Sequence, residues 1–117
     1  MAIRLKEGQE PIDLDTLVEH ARKTSELLKA LSHESRLLIL CLLSDGEKSV
    51  SELEELMSMP QAAVSQQLAR LRFDRLVRTR REGRTIYYSI ADDDVVSLIE
   101  MLQEFFCKPL RKNNGGG

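Results

Sequence analysis

The chain has 117 residues, 42% hydrophobic and 31% charged, a balance that fills one core and solvates one surface, so a single globular domain is expected. The longest strongly apolar run, Leu37 to Leu43, is far short of the roughly 20 residues a membrane-spanning helix needs, and two Tyr, three Phe and no Trp leave almost nothing for stacking single-stranded nucleic acid. The net charge of −2 divides into −5 over residues 1–60, +5 over 61–90 and −2 over 91–117, and every cation of the middle block is arginine.

Residues 1–12 read as a flexible arm, and 1–11 show neither an apolar signal region nor a cleavage site, so the cytoplasm is the expected compartment. From Leu14 to Leu31 the residues Leu14, Leu17, Val18, Ala21, Leu27, Leu28 and Leu31 recur at helical spacing, with Asp13 or Asp15 placed to cap the start. Glu34 to Leu43 follows Ser32 and His33, either of which suits a helix start, and its second half is apolar on every side, as in a buried central helix. After the Asp45-Gly46 break, Ser49-Val50-Ser51-Glu52 has capping-box spacing and opens a helix through Met57 with Val50, Leu53, Leu56 and Met57 inward.

Pro60, after the short Ser58-Met59 connection, is pre-organised for the first turn of a further helix that turns Ala63, Val64, Leu68 and Leu71 inward. Leu76 to Arg81 and Arg84 to Ile90 read as two strands around Glu82-Gly83, rich in β-branched and aromatic residues. Asp92-Asp93-Asp94 then starts a helix whose Val95, Leu98, Ile99, Leu102, Phe105 and Phe106 form a seam near heptad spacing. Residues 109–117, ending Asn113-Asn114-Gly115-Gly116-Gly117, read as a disordered tail.

Helix, helix, helix-turn-helix, β-hairpin and helix is the order of a winged helix-turn-helix domain, mainly α with a β wing, here over residues 13–108. The first and last helices carry apolar stripes that so small a core cannot cover, so both are expected at a homodimer interface. Such a dimer places two recognition helices about 34–36 Å apart and suits an inverted-repeat duplex.

The arginine block, Arg70, Arg72, Arg75, Arg78, Arg80, Arg81 and Arg84, is an electrostatic footprint for a polyanion in an otherwise acidic chain. The second helix of a helix-turn-helix meets base edges with its exposed early residues, which here are Gln61, Ala62, Ser65, Gln66 and Ala69, with Gln67 and Arg70 on the flanks. Gln suits adenine, and Ser serves a base or a phosphate. Arg80, Arg81 and Arg84 at the wing tip suit phosphates or a narrow minor groove. No phosphate loop or nucleophile-base motif is present, so an enzyme is disfavoured and no cofactor is expected.

Three stretches, residues 30–40 (ALSHESRLLIL), 61–71 (QAAVSQQLARL) and 81–88 (REGRTIYY), resemble the ArsR/SmtB family of homodimeric bacterial repressors over roughly residues 15–107. That resemblance implies operator binding relieved by an inducer, often a metal ion. Its metal sites are not matched: Leu53-Glu54-Glu55-Leu56 stands where the arsenic-type cysteine pair belongs, no His lies between Asp92 and Cys107, and His20 and His33 read as surface or capping residues.

Cys41 and Cys107 instead resemble the dithiol subgroup typified by BigR and SqrR, which implies sensing of persulfides or polysulfides through a sulfur bridge and loss of operator affinity. Cys107, beside Lys108, is the better first nucleophile; no cation flanks Cys41, which suits the resolving role. A plain disulfide needs Cα atoms about 4.4–6.8 Å apart, and a longer sulfur chain tolerates a wider gap. Two other classes compete: a repressor responding to a soft metal or arsenical through the same thiolates, and a winged helix used for protein interaction.

Overall fold

A computed structural model of the chain describes the backbone of residues 2–3, 7–8 and 10–116, with side chains as far as Phe106. Its elements run β1 (Ala2–Ile3), β2 (Ile12–Asp13), α1 (Leu14–Leu31), α2 (Glu34–Leu43), β3 (Lys48–Ser49), α3 (Val50–Met57), α4 (Gln61–Phe73), β4 (Val77–Glu82), β5 (Thr85–Ile90) and α5 (Asp93–Gly116). Among the described residues no helix is long and apolar enough to cross a membrane.

Local chemistry sets the helix ends. His33 caps α2 by accepting the Ser35 backbone N–H on Nδ1 at 3.2 Å, and Ser49 and Glu52 close a reciprocal capping box at the start of α3. Asp92 accepts the Asp94 N–H at 2.8 Å ahead of α5. Asp13 stands at the N-cap of α1 without a side-chain cap bond, and Asp15 lies in the first turn, where its charge still favours the helix dipole. α4 ends in a Schellman motif: Leu76 N–H donates to Leu71 O at 2.9 Å and Arg75 N–H to Arg72 O at 3.0 Å, with Arg75 left-handed at φ +61°.

One core joins the elements. Ile39 and Leu40 of α2, Leu53 of α3, Val64, Leu68 and Leu71 of α4 and Ile99 of α5 are fully buried, and Val77 and Ile90 extend the core under the sheet. That sheet has the order β3-β5-β4, antiparallel throughout, with Val77 opposite Ile90 and Glu82 opposite Thr85. Gly83 at φ +63° supplies the first position of the two-residue wing turn.

The structure adds detail to the arm and the tail, and it corrects the expectations for Leu56, α2 and the wing turn. The N-terminal arm carries a short ladder, Ala2 opposite Asp13 and Ile3 opposite Ile12; Gly8 at φ +87° provides the left-handed position that helps the chain reverse. Leu56 is 56% exposed, because it lies about 60° behind Leu53 on the helix, outside the stripe of Val50, Leu53 and Met57. α2 is central but not covered on every side: Leu38 is exposed and Leu37, Cys41 and Leu42 are half-buried, since the neighbouring elements leave part of its surface open. The wing turn is Gly83-Arg84, so Arg84 sits in the turn and not on a strand. The helical trace of α5 crosses the boundary expected at residue 109 and continues to Gly116. Leu110, Arg111 and Lys112 are good helix formers beyond Pro109.

Candidate functional site

α3 and α4 meet across Ser58, Met59 and Pro60, with Ser58 left-handed at φ 52° and its N–H returned to Glu54 O. Pro60 occupies the N-cap of α4. The apolar side of α4 is consumed by the core, which turns Gln61, Ala62, Ser65, Gln66, Ala69 and Arg70 outward, all exposed. A groove of about 220 Å³ runs between the start of α4 and the wing tip, lined by Ser51, Gln61, Arg84 and Thr85 among others. The fold therefore brings Gln61 and Arg84, far apart in sequence, to one concave surface.

Three polar residues of the expected interface are engaged within the protein. Gln67 is half-buried and its Oε1 accepts from Arg36 Nη1 at 3.2 Å. Arg80 binds Glu47 through Nε and Nη2, binds Glu82 through Nη1 at 2.8 Å, and lies 4.7 Å from the centroid of the Tyr87 ring. Those two carboxylates raise the Arg80 pKa still further above its ordinary value, and the Arg80 hydrogen bond holds the Glu47 carboxyl below the usual carboxylate range. Arg70 pairs with Asp74 at 3.1 Å on the exposed end of α4. Among the described residues Arg72, Arg75, Arg78, Arg81 and Arg84 form no ion pair and stand exposed.

Cys41 lies half-buried on α2 beside an apolar-walled cavity of about 190 Å³, lined by Leu37, Cys41, Leu102, Gln103 and Phe106. Gln103 of α5 donates from Nε2 to Ser44 Oγ at 2.9 Å and to Cys41 O at 3.4 Å, fastening α5 to the C-terminal half of α2. Cys107 lies on α5 four residues after Gln103, and its side chain lies outside the described residues. His20 is exposed, and among the described residues no three His, Cys, Asp or Glu side chains converge as metal ligands.

Among the described residues, α1 exposes Leu14, Val18 and Leu28 and α5 exposes Met101, Phe105 and Phe106, while Leu38, Leu56, Phe73 and Ile86 are exposed elsewhere. Sequence reasoning missed Arg36 and Glu47. Neither lies in the arginine block, although Arg36 falls within the 30–40 stretch, and each acts on a residue more than thirty positions away.

A sequence profile for the bacterial regulatory protein, arsR family, matches residues 33–79. The chain is 42% identical over 98 residues to the transcriptional activator HlyU of Vibrio cholerae, covering 84% of this chain and 91% of that protein. The structure of reduced HlyU from Vibrio cholerae superposes with a TM-score of 0.75, covering 79% of this chain and 97% of that chain at 42% identity. The transcriptional repressor BigR from Xylella fastidiosa gives a TM-score of 0.74 at 36% identity, covering 82% and 98%. A homodimeric winged helix-turn-helix DNA-binding domain from Mycobacterium bovis gives 0.70 at 32% identity, covering 92% and 95%. With the winged helix-turn-helix, the exposed face of α4 and these likenesses together, the chain belongs to the ArsR family of bacterial regulatory proteins.

Proposed function

We propose that the protein is a homodimeric transcriptional repressor. It binds an inverted-repeat operator through α4 and the wing, and it releases that DNA when reactive sulfur species link Cys41 to Cys107. One observation carries the DNA reading: the arginines divide into a bracing set, held by carboxylates, and a set with exposed guanidinium groups beside α4 and on the wing. A cation held by its own carboxylates gains little from a phosphate, whereas an exposed unpaired one releases counterions when it binds DNA.

Gln61, Ser65 and Gln66 offer donors and acceptors to base edges, while Ala62 and Ala69 keep the helix face shallow enough to approach them. Arg81 and Arg84 reach the phosphates, or an adjacent narrow minor groove. The exposed Leu14, Val18, Leu28, Met101, Phe105 and Phe106 support a dimer through α1 and α5, as does the homodimeric state of the Mycobacterium bovis relative.

Support for the switch comes from Gln103, which ties α5 to Cys41 one helical turn before Cys107. The Cys107 thiolate attacks the outer sulfur of a persulfide R–S–SH, and R–S⁻ leaves with the electron pair of the broken S–S bond. The Cys41 thiolate then attacks Cys107 Sγ, the inner sulfur of the new persulfide, and HS⁻ leaves with the electron pair of the broken S–S bond. A second donor molecule that adds sulfur before closure lengthens the bridge.

Intact-mass measurement and operator titration after exposure to a persulfide, to peroxide and to glutathione disulfide test this reading. Persulfide should add a sulfur link and release DNA from the wild-type protein, while Cys41→Ser and Cys107→Ser proteins keep their DNA. Release from both variants would contradict the switch.

A further inference from the structure

We propose that Arg36 and Gln67 form a positioning pair that fixes the rotation of the recognition helix, so that Gln67 orients α4 and does not read a base. The role rests on the DNA-binding reading above.

Arg36 lies in the first turn of α2, half-buried between α1 and α4. Its Nε donates to Ala30 O at 2.9 Å and its Nη1 to Gln67 Oε1 at 3.2 Å. Ala30 is in the last turn of α1, where carbonyls have no partner within the helix. A guanidinium is a rigid planar fork that only donates, so the atom of Gln67 that faces it must be the oxygen. Bidentate recognition of adenine by glutamine requires both that oxygen and the amide nitrogen. With its oxygen turned to Arg36 and its side chain half-buried, Gln67 is poorly placed for such a pairing, whereas its exposed neighbour Gln66 is open to it.

The same helix connects two regions. Near its start α2 grips α4 through Arg36, and toward its end it is gripped by Gln103 of α5 at Cys41 O and Ser44 Oγ. The pair thus holds Gln61, Ser65 and Gln66 outward against a frame that also carries Cys41.

Binding of Arg36→Met, Gln67→Met, the double variant and Gln67→Glu is measured on the operator, on its single-base-pair variants and on random duplex, with thermal denaturation of each protein in parallel. Each single Met variant should lower the ratio of operator to random-duplex affinity about tenfold, in the range of one hydrogen bond to a charged group. The double variant should lose no more, which is the signature of coupled residues. Random-duplex affinity should stay unchanged, a result that general destabilisation would not give. Gln67→Glu should remain within about twofold of the wild type, because its charge faces Arg36.

Losses that multiply in the double variant would overturn the proposal. So would a Gln67→Met protein that loses preference at one base pair only, or a Gln67→Glu protein weakened on every duplex. If Arg36→Met does not fold, the two Gln67 variants decide by the same criteria. A wild-type protein that binds no duplex would overturn the DNA reading together with this role; a wild-type protein that binds, with multiplying losses, would overturn this role alone.

Discussion

The recognition half of the molecule and its α1/α5 half are built from similar amphipathic helices but are completed differently. On α4, Val64, Leu68 and Leu71 have no exposed surface, and the helix is closed by a Schellman motif. On α5, Val95 and Ile99 are buried, yet Phe105 and Phe106 remain 71% and 72% exposed. Apart from Phe73 at its C-terminal end, which is 81% exposed, the first helix is finished by its own chain. The second leaves apolar surface for the proposed dimer to cover, which would divide folding and assembly between the two halves.

The sharpest way to break this contrast is to cut into each half separately. Leu68→Ala should destabilise the protein by about 2–5 kcal/mol, the range for emptying a closed core site, as read by chemical denaturation. Phe105→Glu combined with Phe106→Glu should leave the helical circular dichroism intact and halve the mass seen in sedimentation at micromolar concentration. If the double variant stayed dimeric, the interface would lie elsewhere.

A smaller effect is expected at the end of α4. Arg75 holds a left-handed conformation at φ +61°, a region that strains residues with a Cβ, so Arg75→Gly should raise the denaturation midpoint by the equivalent of about 0.5–1 kcal/mol. No gain would mean that contacts of the Arg75 side chain offset the strain.

The smallest effect is expected at the wing brace. Arg80 lowers the Glu47 pKa in the folded protein, so this pair contributes stability above the unfolded carboxyl pKa and loses it as pH falls through the lower, folded value. Glu47→Gln should make the loss of stability on acidification below the ordinary value of 4.5 shallower. An unchanged acid limb would show that the brace is already open in solution.

The helix pattern was largely legible in the sequence: the spans of α1 and α2 fall where periodicity and the Ser32-His33 start place them. The wing was legible to within one residue at its turn. Strand β3 was not, because two residues carry no alternation and Lys48–Ser49 is a strand only by pairing with Tyr87 and Tyr88.

The same limit governs the site. Gln66 and Gln67 are adjacent and chemically identical, and what separates them is Arg36, 31 residues away. Arg80 and Arg81 are likewise adjacent, and Glu47, 33 residues before Arg80, decides which of them is paired. Residue type and spacing nominated a surface, but only tertiary contacts divide it into residues that brace and residues left exposed.

The measurement that tests the central claim most directly is the salt dependence of operator binding by the reduced protein, compared between the Arg81→Ala/Arg84→Ala double variant and Arg80→Ala. Each phosphate contact contributes about 0.9 to the slope of log affinity against log salt. The double variant should flatten that slope by about 1–2 and weaken all duplexes alike, again at about 0.9 per contact, whereas Arg80→Ala should leave the slope close to that of the wild type. A slope unchanged by the loss of Arg81 and Arg84, or flattened as much by the loss of Arg80, would contradict the assignment of the exposed wing arginines to DNA.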